Sequence, residues 1–119
     1  KKNNLKVKIK SILTVREENG LAMSSRNVLL DKKTRYEAKI IYESLCEAKR
    51  MIKTNDFDKI KDFVGELFLG NEKFNLEYFY IAENSSLKEV ESFNPKIKLR
   101  GFICAKVQGV RLIDNIALN

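Results

Sequence analysis

The sequence predicts an α+β fold, a small antiparallel sheet of about three strands packed with two main helices. Three observations carry this expectation. Two apolar stripes at helical spacing follow one another between residues 32 and 69. Two alternating segments flank Gln108-Gly109, where a tight hairpin turn fits. An aromatic and β-branched run at 76–82 supplies a further strand. Neither helix buries its stripe alone, so the helices pack together or on the sheet. At 119 residues, one compact domain with a single core is the natural organisation.

Taken in order, Leu5, Val7 and Ile9 alternate with Lys6, Lys8 and Lys10, the period of a strand with one wet face. Asp31 is placed to cap a helix, its carboxylate accepting from the free N–H groups of the first turn. From there Ala38, Ile41, Leu45, Ala48 and Ile52 recur at helical spacing, widened by Tyr42 and Met51, and predict a helix over about 32–53. Glu43, Glu47, Lys49 and Arg50 fall mostly on other faces. Tyr42 and Met51 read as core positions and are assigned no ligand.

Thr54-Asn55-Asp56 supplies the next break and cap. Phe57, Ile60, Val64 and Leu67, joined by Phe63 and Phe68, predict a second amphipathic helix ending before Gly70. Gly65 within it suggests a close helix crossing. Asn84-Ser85-Ser86 ends the strand at 76–82, and the stretch to Lys96 reads as irregular, with Pro95 as a breaker. Segments 98–107 and 110–117 are the two arms of the hairpin. No repeat or low-complexity linker interrupts the chain.

Composition narrows the function classes. An apolar fraction of 44% with interspersed charge argues for a soluble globular chain rather than disorder. No stretch approaches the roughly 18 apolar residues of a membrane helix, and no signal-peptide pattern opens the sequence. Cys46 and Cys104 lie far apart, without a CxxC, and the chain has no histidine. That combination argues against a zinc site or a disulfide scaffold, and for reduced, buried thiols in a cytoplasmic protein. The formal charge of +7 comes from 23 basic and 16 acidic residues. Lysines dominate and are spread among acidic neighbours, with no arginine cluster interleaved with aromatic residues to stack bases. A solvated lysine-rich surface is favoured over a nucleic-acid partner.

The stretch with chemical content is Asn19-Gly20-Leu21-Ala22-Met23-Ser24-Ser25-Arg26-Asn27. Gly20 tolerates positive φ and close approach. Ser24 and Ser25 add hydroxyls to backbone N–H groups, and Arg26 adds a permanent cation with a five-donor fork. Such a set suits phosphate oxygens. An ordinary polar loop before a helix has the same composition, so the residue types alone leave both readings open.

The run Thr14-Val15-Arg16-Glu17, then Gly20-Leu21-Ala22-Met23-Ser24-Ser25-Arg26-Asn27, closely resembles the C-terminal part of the pantothenate synthetase (pantoate–β-alanine ligase) family. Arg111-Leu112-Ile113-Asp114-Asn115 is a second, supporting match, and the resemblance extends from about Val7 to Ala117. It implies that residues 1–13 are a linker or strand leading out of a preceding nucleotide-binding domain. Residues 14–119 are then the C-terminal domain that acts as a lid over ATP.

The family joins pantoate to β-alanine through a pantoyl adenylate, with pyrophosphate leaving. By resemblance, Ser24, Ser25 and Arg26 contact the ATP phosphates, Arg26 acts catalytically, and the backbones of Met23 and Val15 lie near the adenine. Magnesium accompanies the ATP and is held mostly by phosphate oxygens. The family's histidine-containing ATP loop and its pantoate-binding residues belong to the other domain. The isolated chain is therefore expected to be inactive.

Arg16 and Glu17 suggest either an active-site pair or, more simply, a structural ion pair or solvated turn. Asp114 and Asn115 suggest a metal or substrate pair, or turn and backbone hydrogen bonding. Arg111 suits either a phosphate or a strand anchor. None of the five is assigned to the site. Two competing functions remain at this level: a small basic nucleic-acid-binding module, and an assembly domain in which the serine–arginine loop only caps a helix.

Overall fold

The structure, a computed structural model, describes residues 15–54 and 56–119. The strand expected around Leu5, Val7 and Ile9 lies outside the described residues. Among those described, the chain runs from a loop into a 3-10 helix (Ser25–Leu29), then α1 (Lys32–Glu37), α2 (Lys39–Met51), α3 (Phe57–Leu69), β1 (Asn75–Glu83), β2 (Leu99–Val107) and β3 (Val110–Ala117). The strands form one antiparallel sheet in the order β1-β2-β3. The α+β expectation holds.

The expected helix over 32–53 is two helices. Asp31 caps α1 by accepting from the Thr34 amide at 2.8 Å, but the helix stops at Glu37, and Ala38 carries ψ −6°. No glycine or proline causes the break. The Asn19 Nδ2 group donates to the carbonyls of Arg35 and Tyr36 at 3.1 and 3.0 Å. A continuing helix would satisfy those carbonyls with the amides of Lys39 and Ile40. A side chain from the distant loop has entered the ladder, one of the established causes of a helix break.

The predicted stripe of α2 is otherwise intact. Ala38, Ile41, Leu45, Ala48 and Ile52 are all buried. Tyr42 and Met51 are only half-buried, and Tyr42 serves the loop rather than the core. In α3 the buried positions are Phe57, Ile60, Val64 and Phe68, capped by Asp56 at the Lys59 amide (2.8 Å). A Cβ at Gly65 would meet nothing within 4 Å, so the close crossing expected there does not occur.

Helices α2 and α3 pack on each other and on the same side of the sheet, α2 over β2 and β3 and α3 over β1. Within this layer Gly101 faces Leu45 and Leu118. A Cβ there would lie 3.4 Å from Leu45 and Leu118 side-chain atoms. Two adjoining apolar clusters fill the space, one around Ile41, Leu45, Ile103 and Leu112, the other around Ile52, Ile60, Ile81 and Leu118. Tyr78 and the stacked rings of Tyr80 and Phe102, 5.1 Å apart, are exposed or half-buried. Gln108 and Gly109 take φ values of 52° and 78°, the doubly positive geometry of a two-residue hairpin turn. Both cysteines are free, Cys104 buried and Cys46 half-buried. Among the described residues no helix is long and apolar enough to cross a membrane.

Candidate functional site

The loop from Val15 to Leu30 folds along the outer edge of β3. Arg16 and Ala22 form an isolated antiparallel bridge, and the Met23 amide donates to the Val15 carbonyl at 2.8 Å. The reversal between them needs Gly20, which sits at φ +97°. Its Cα faces the Tyr42 ring so closely that a Cβ would come 2.5 Å from Cδ2. Of the turn or close approach to a ligand expected of this glycine, the structure has the turn, and the group approached is the Tyr42 ring.

Beyond Met23 the chain turns into the 3-10 helix. Ser24 Oγ accepts from the Arg26 amide at 3.1 Å, and the Ser24 carbonyl accepts from Asn27 at the same distance. Ser24 therefore does cap a helical turn. Its neighbours keep their polar groups outward: Ser25 and Arg26 are exposed, and the Arg26 Nη1 group donates to the Arg111 carbonyl at 3.3 Å. Val15 and Met23 present exposed side chains, 65% and 56% accessible, side by side at the start of the loop. All five sequence-predicted site residues thus lie on one continuous loop, with the Val15–Met23 ladder at one end and the serine–arginine turn at the other.

Between this loop and β3 lies a pocket of about 360 Å³. Ser24, Arg26 and Asn27 line it from the first sequence motif, and Arg111 and Asp114 from the second. A hollow of about 470 Å³ opens on the other side of the loop, lined by Glu17, Lys32, Arg35 and Lys39. Its Arg35 is already committed to Glu17, and no residue of the serine–arginine turn reaches it. The smaller pocket is where both motifs converge.

The charged residues around the loop follow a different pairing from the one their sequence positions suggest. Arg16 and Glu17 are not partners. Arg16 forks onto Asp114, through Nη1 to Oδ2 at 2.5 Å and Nη2 to Oδ1 at 3.1 Å. Glu17 instead receives Arg35, Nε at 2.9 Å and Nη2 at 2.8 Å, together with Asn27 Nδ2 at 2.6 Å. The Arg35 hydrogen bond is the main cause holding the Glu17 carboxyl below its usual range, with Asn27 adding to it and burial opposing.

Asp114 and Asn115 separate as well. Asp114 faces the loop, while Asn115 Oδ1 accepts from Arg100 Nη1 at 2.7 Å. The Arg111 side chain is tied to Glu77 at 2.7 Å, which makes it chiefly a strand anchor beside the pocket.

Sequence reasoning quoted Asn27 within the motif without a role and placed Tyr42 in the core. Asn27 is fully buried, bridges Glu17 and the Ala22 carbonyl through Nδ2, and its Oδ1 has no hydrogen-bond partner among the described residues. Tyr42 lies with its ring 3.9 Å from the Arg16 guanidinium carbon. For Tyr42 a signal existed: it is the polar-tipped residue beside a stripe already complete without it. For Asn27 none did. Among the described residues no group of three or more His, Cys, Asp or Glu side chains is placed to hold a metal ion.

The family model described as pantoate-beta-alanine ligase matches residues 1–117. The pantothenate synthetase of Christiangramia forsetii is 42% identical over 118 residues, covering 99% of this chain and 42% of that protein. That of Flavobacterium psychrophilum is 38% identical over 117 residues, with 98% and 42% covered. A crystal structure of pantothenate synthetase from Thermus thermophilus superposes with a TM-score of 0.79 at 29% identity, over 90% of this chain and 38% of that one. The chain thus spans about two fifths of the length of the curated relatives it matches. Both motifs that line the pocket fall within the matched residues, and the chain belongs to the pantoate–β-alanine ligase family.

Proposed function

We propose that residues 14–119 are the C-terminal, ATP-covering domain of a pantothenate synthetase, and that residues 1–13 lead out of a nucleotide-binding domain. In the complete enzyme this domain closes over MgATP while pantoate is activated to pantoyl adenylate, which the β-alanine amine then attacks. Ser24, Ser25 and Arg26 hold the phosphates. The paired backbones of Val15 and Met23 border the adenine, beside two exposed apolar side chains suited to a flat ring. The observation that carries this reading is the convergence of both family motifs on one pocket that ends in an exposed guanidinium.

The chemistry assigned to Arg26 follows from its charge. In the first step the pantoate carboxylate attacks the α-phosphorus and the bond to the pyrophosphate oxygen breaks. Negative charge grows on that leaving oxygen, so a guanidinium aimed there binds the transition state more tightly than the ground state. A planar fork serves two phosphate oxygens at once, which a lysine does not. Pantoate-binding groups and a second set of phosphate contacts come from the other domain, so the 119-residue chain alone makes no pantothenate. The nucleic-acid alternative is not favoured, since the family it belongs to is a ligase family.

The test is single-turnover adenylate formation in the complete enzyme. Arg26→Ala lowers the rate by about 10²–10³-fold, the scale for losing one preorganised charge-stabilising donor. Arg26→Lys recovers part of it. Because Arg26 is exposed, the melting curve is expected to move little. An unchanged rate, or a melting loss large enough to explain the change, returns the serine–arginine turn to a capping role.

A further inference from the structure

The serine–arginine loop is shaped by short internal hydrogen bonds but has little apolar packing to fix it against the sheet. Between Val15 and Leu30 the only buried side chains are Leu21, Asn27 and Leu30. Its one internal bridge, Arg16 to Ala22, is far too short to be stable alone. Yet a phosphate site depends on distances held to fractions of an ångström.

The Glu17–Arg35 pair and the two Asn19 bonds tie the loop to α1. Asp114 supplies the loop's side-chain anchor on β3. It occupies the buried register of β3, in phase with Val110 and Leu112, and its side chain is only 2% exposed. Arg16 answers it with a two-point fork, donates from Nη1 to the Gly20 carbonyl at 3.1 Å, and lies over the Tyr42 ring. One guanidinium therefore joins β3, the first residue of the bridge, the turn at Gly20, and α2. At the other end of the pocket Arg26 donates to the Arg111 carbonyl, also on β3. The two crosslinks bracket the pocket, and Asp114 lines it.

We infer that Arg16 and Asp114 are positioning residues, whose forked pair fixes the spacing between the serine–arginine loop and β3 and so presets the site for a nucleoside triphosphate. This rests on the function proposed above. Without the fork the loop pivots about its remaining contacts, and ATP selects a minor arrangement at a cost in apparent affinity. Asp114→Asn keeps the shape of the side chain but loses the charge that holds the fork. Arg16→Lys keeps the charge but not two parallel hydrogen bonds.

The experiment compares Arg16→Lys, Asp114→Asn and Tyr42→Leu in the complete ligase, with Arg26→Ala as the reference. Single-turnover adenylation, separate KM values for ATP and pantoate, and a melting curve are recorded for each. Rates are read at a temperature where the variant is folded. Arg16→Lys and Asp114→Asn are expected to lower kcat/KM for ATP by about 10–100-fold, the scale of a small misplacement at a reacting centre, while KM for pantoate stays within about twofold. Tyr42→Leu keeps the ion pair and removes only its aromatic support. It shifts the ATP parameters alone, by about two- to fivefold.

Equal losses for ATP and pantoate, full activity in Arg16→Lys, or unchanged ATP parameters in all three variants overturn the inference. If Arg26→Ala is also without effect, the proposed function fails with it. If Arg26→Ala lowers adenylation and the others do not, only the positioning role fails.

Discussion

Leu45 and Arg16 each sit at the centre of a contact set, and the two sets are built from different forces. Leu45 is fully buried between α2 and the sheet, against Gly101 and the apolar residues of β2 and β3. Its contacts are short-range, numerous and individually weak, and their sum is proportional to area removed from water. Arg16 makes few contacts, each directional: a fork to Asp114, a bond to a carbonyl, a ring face. The first region is where the fold gets its stability. The second contributes less to stability, since charges removed from water repay little net, but it specifies where a loop lies. The division suits a ligand-binding edge on a rigid sheet.

Truncating the core tests one side of that comparison. Leu45→Ala leaves a cavity over Gly101 and is expected to cost about 2–5 kcal/mol. Chemical denaturation measures it. Per folded molecule the loop geometry is expected to persist, so a loss confined to phosphate binding with no fall in stability would break the distinction.

The glycines sharpen it with two substitutions of opposite sign. Gly20→Ala forces a side chain into φ +97° and against Tyr42, and is expected to destabilise by about 1–3 kcal/mol. Gly65→Ala places a methyl group in open space within α3 and is expected to stabilise by about 0.5–1 kcal/mol. A Gly20→Ala midpoint that stays level or rises would contradict the assignment of Gly20 to a close approach, and a Gly65→Ala midpoint that falls would contradict the open space at Gly65.

The smallest effect lies at the seam between the regions. Asp31 caps α1 and also receives Gln108 Nε2 from the hairpin turn at 2.8 Å. The Gln108 hydrogen bond, followed by those from Thr34, lowers its carboxyl from 3.8 to about 2. A depressed carboxyl contributes stability that is complete above the unfolded value and is lost as pH falls through the folded one. The window is therefore about pH 4 to 2, and Glu17, also lowered, acts in the same direction below 4.5. Asp31→Asn keeps a capping side chain and removes one titrating group. Its melting midpoint is expected to fall less steeply with acidification in that window, and a slope equal to that of the unsubstituted protein would show Asp31 to be irrelevant there.

The elements whose signals are local were legible in the sequence. The stripes of α2 and α3 repeat with the period of the helix itself, the Asp31 and Asp56 caps sit one residue ahead of their helices, and Gln108-Gly109 stands between two alternating strands. The break at Ala38 was not legible, because its cause is Asn19, about twenty residues earlier and brought near only by folding. In the site, the five loop residues were named from their chemistry and the family resemblance. Their location on one loop followed from contiguity.

Ion-pair partners depend on which elements become neighbours. Arg16 and Glu17 are adjacent in sequence and point to different partners, because successive residues of an extended segment face opposite sides. One hint of the pairing was present: Asp114 stands in phase with Val110 and Leu112, where a carboxylate requires a buried counter-charge. From the sequence Asp114 read only as half of a metal or substrate pair or as a turn residue, and a buried counter-charge was not inferred. Only the tertiary structure decided that the counter-charge is Arg16, because the choice among the chain's many cations depends on the loop crossing the edge of β3 with its guanidinium over Tyr42. Periodicity is written residue by residue along a chain, whereas a contact across 98 positions exists only after the apolar layers have packed.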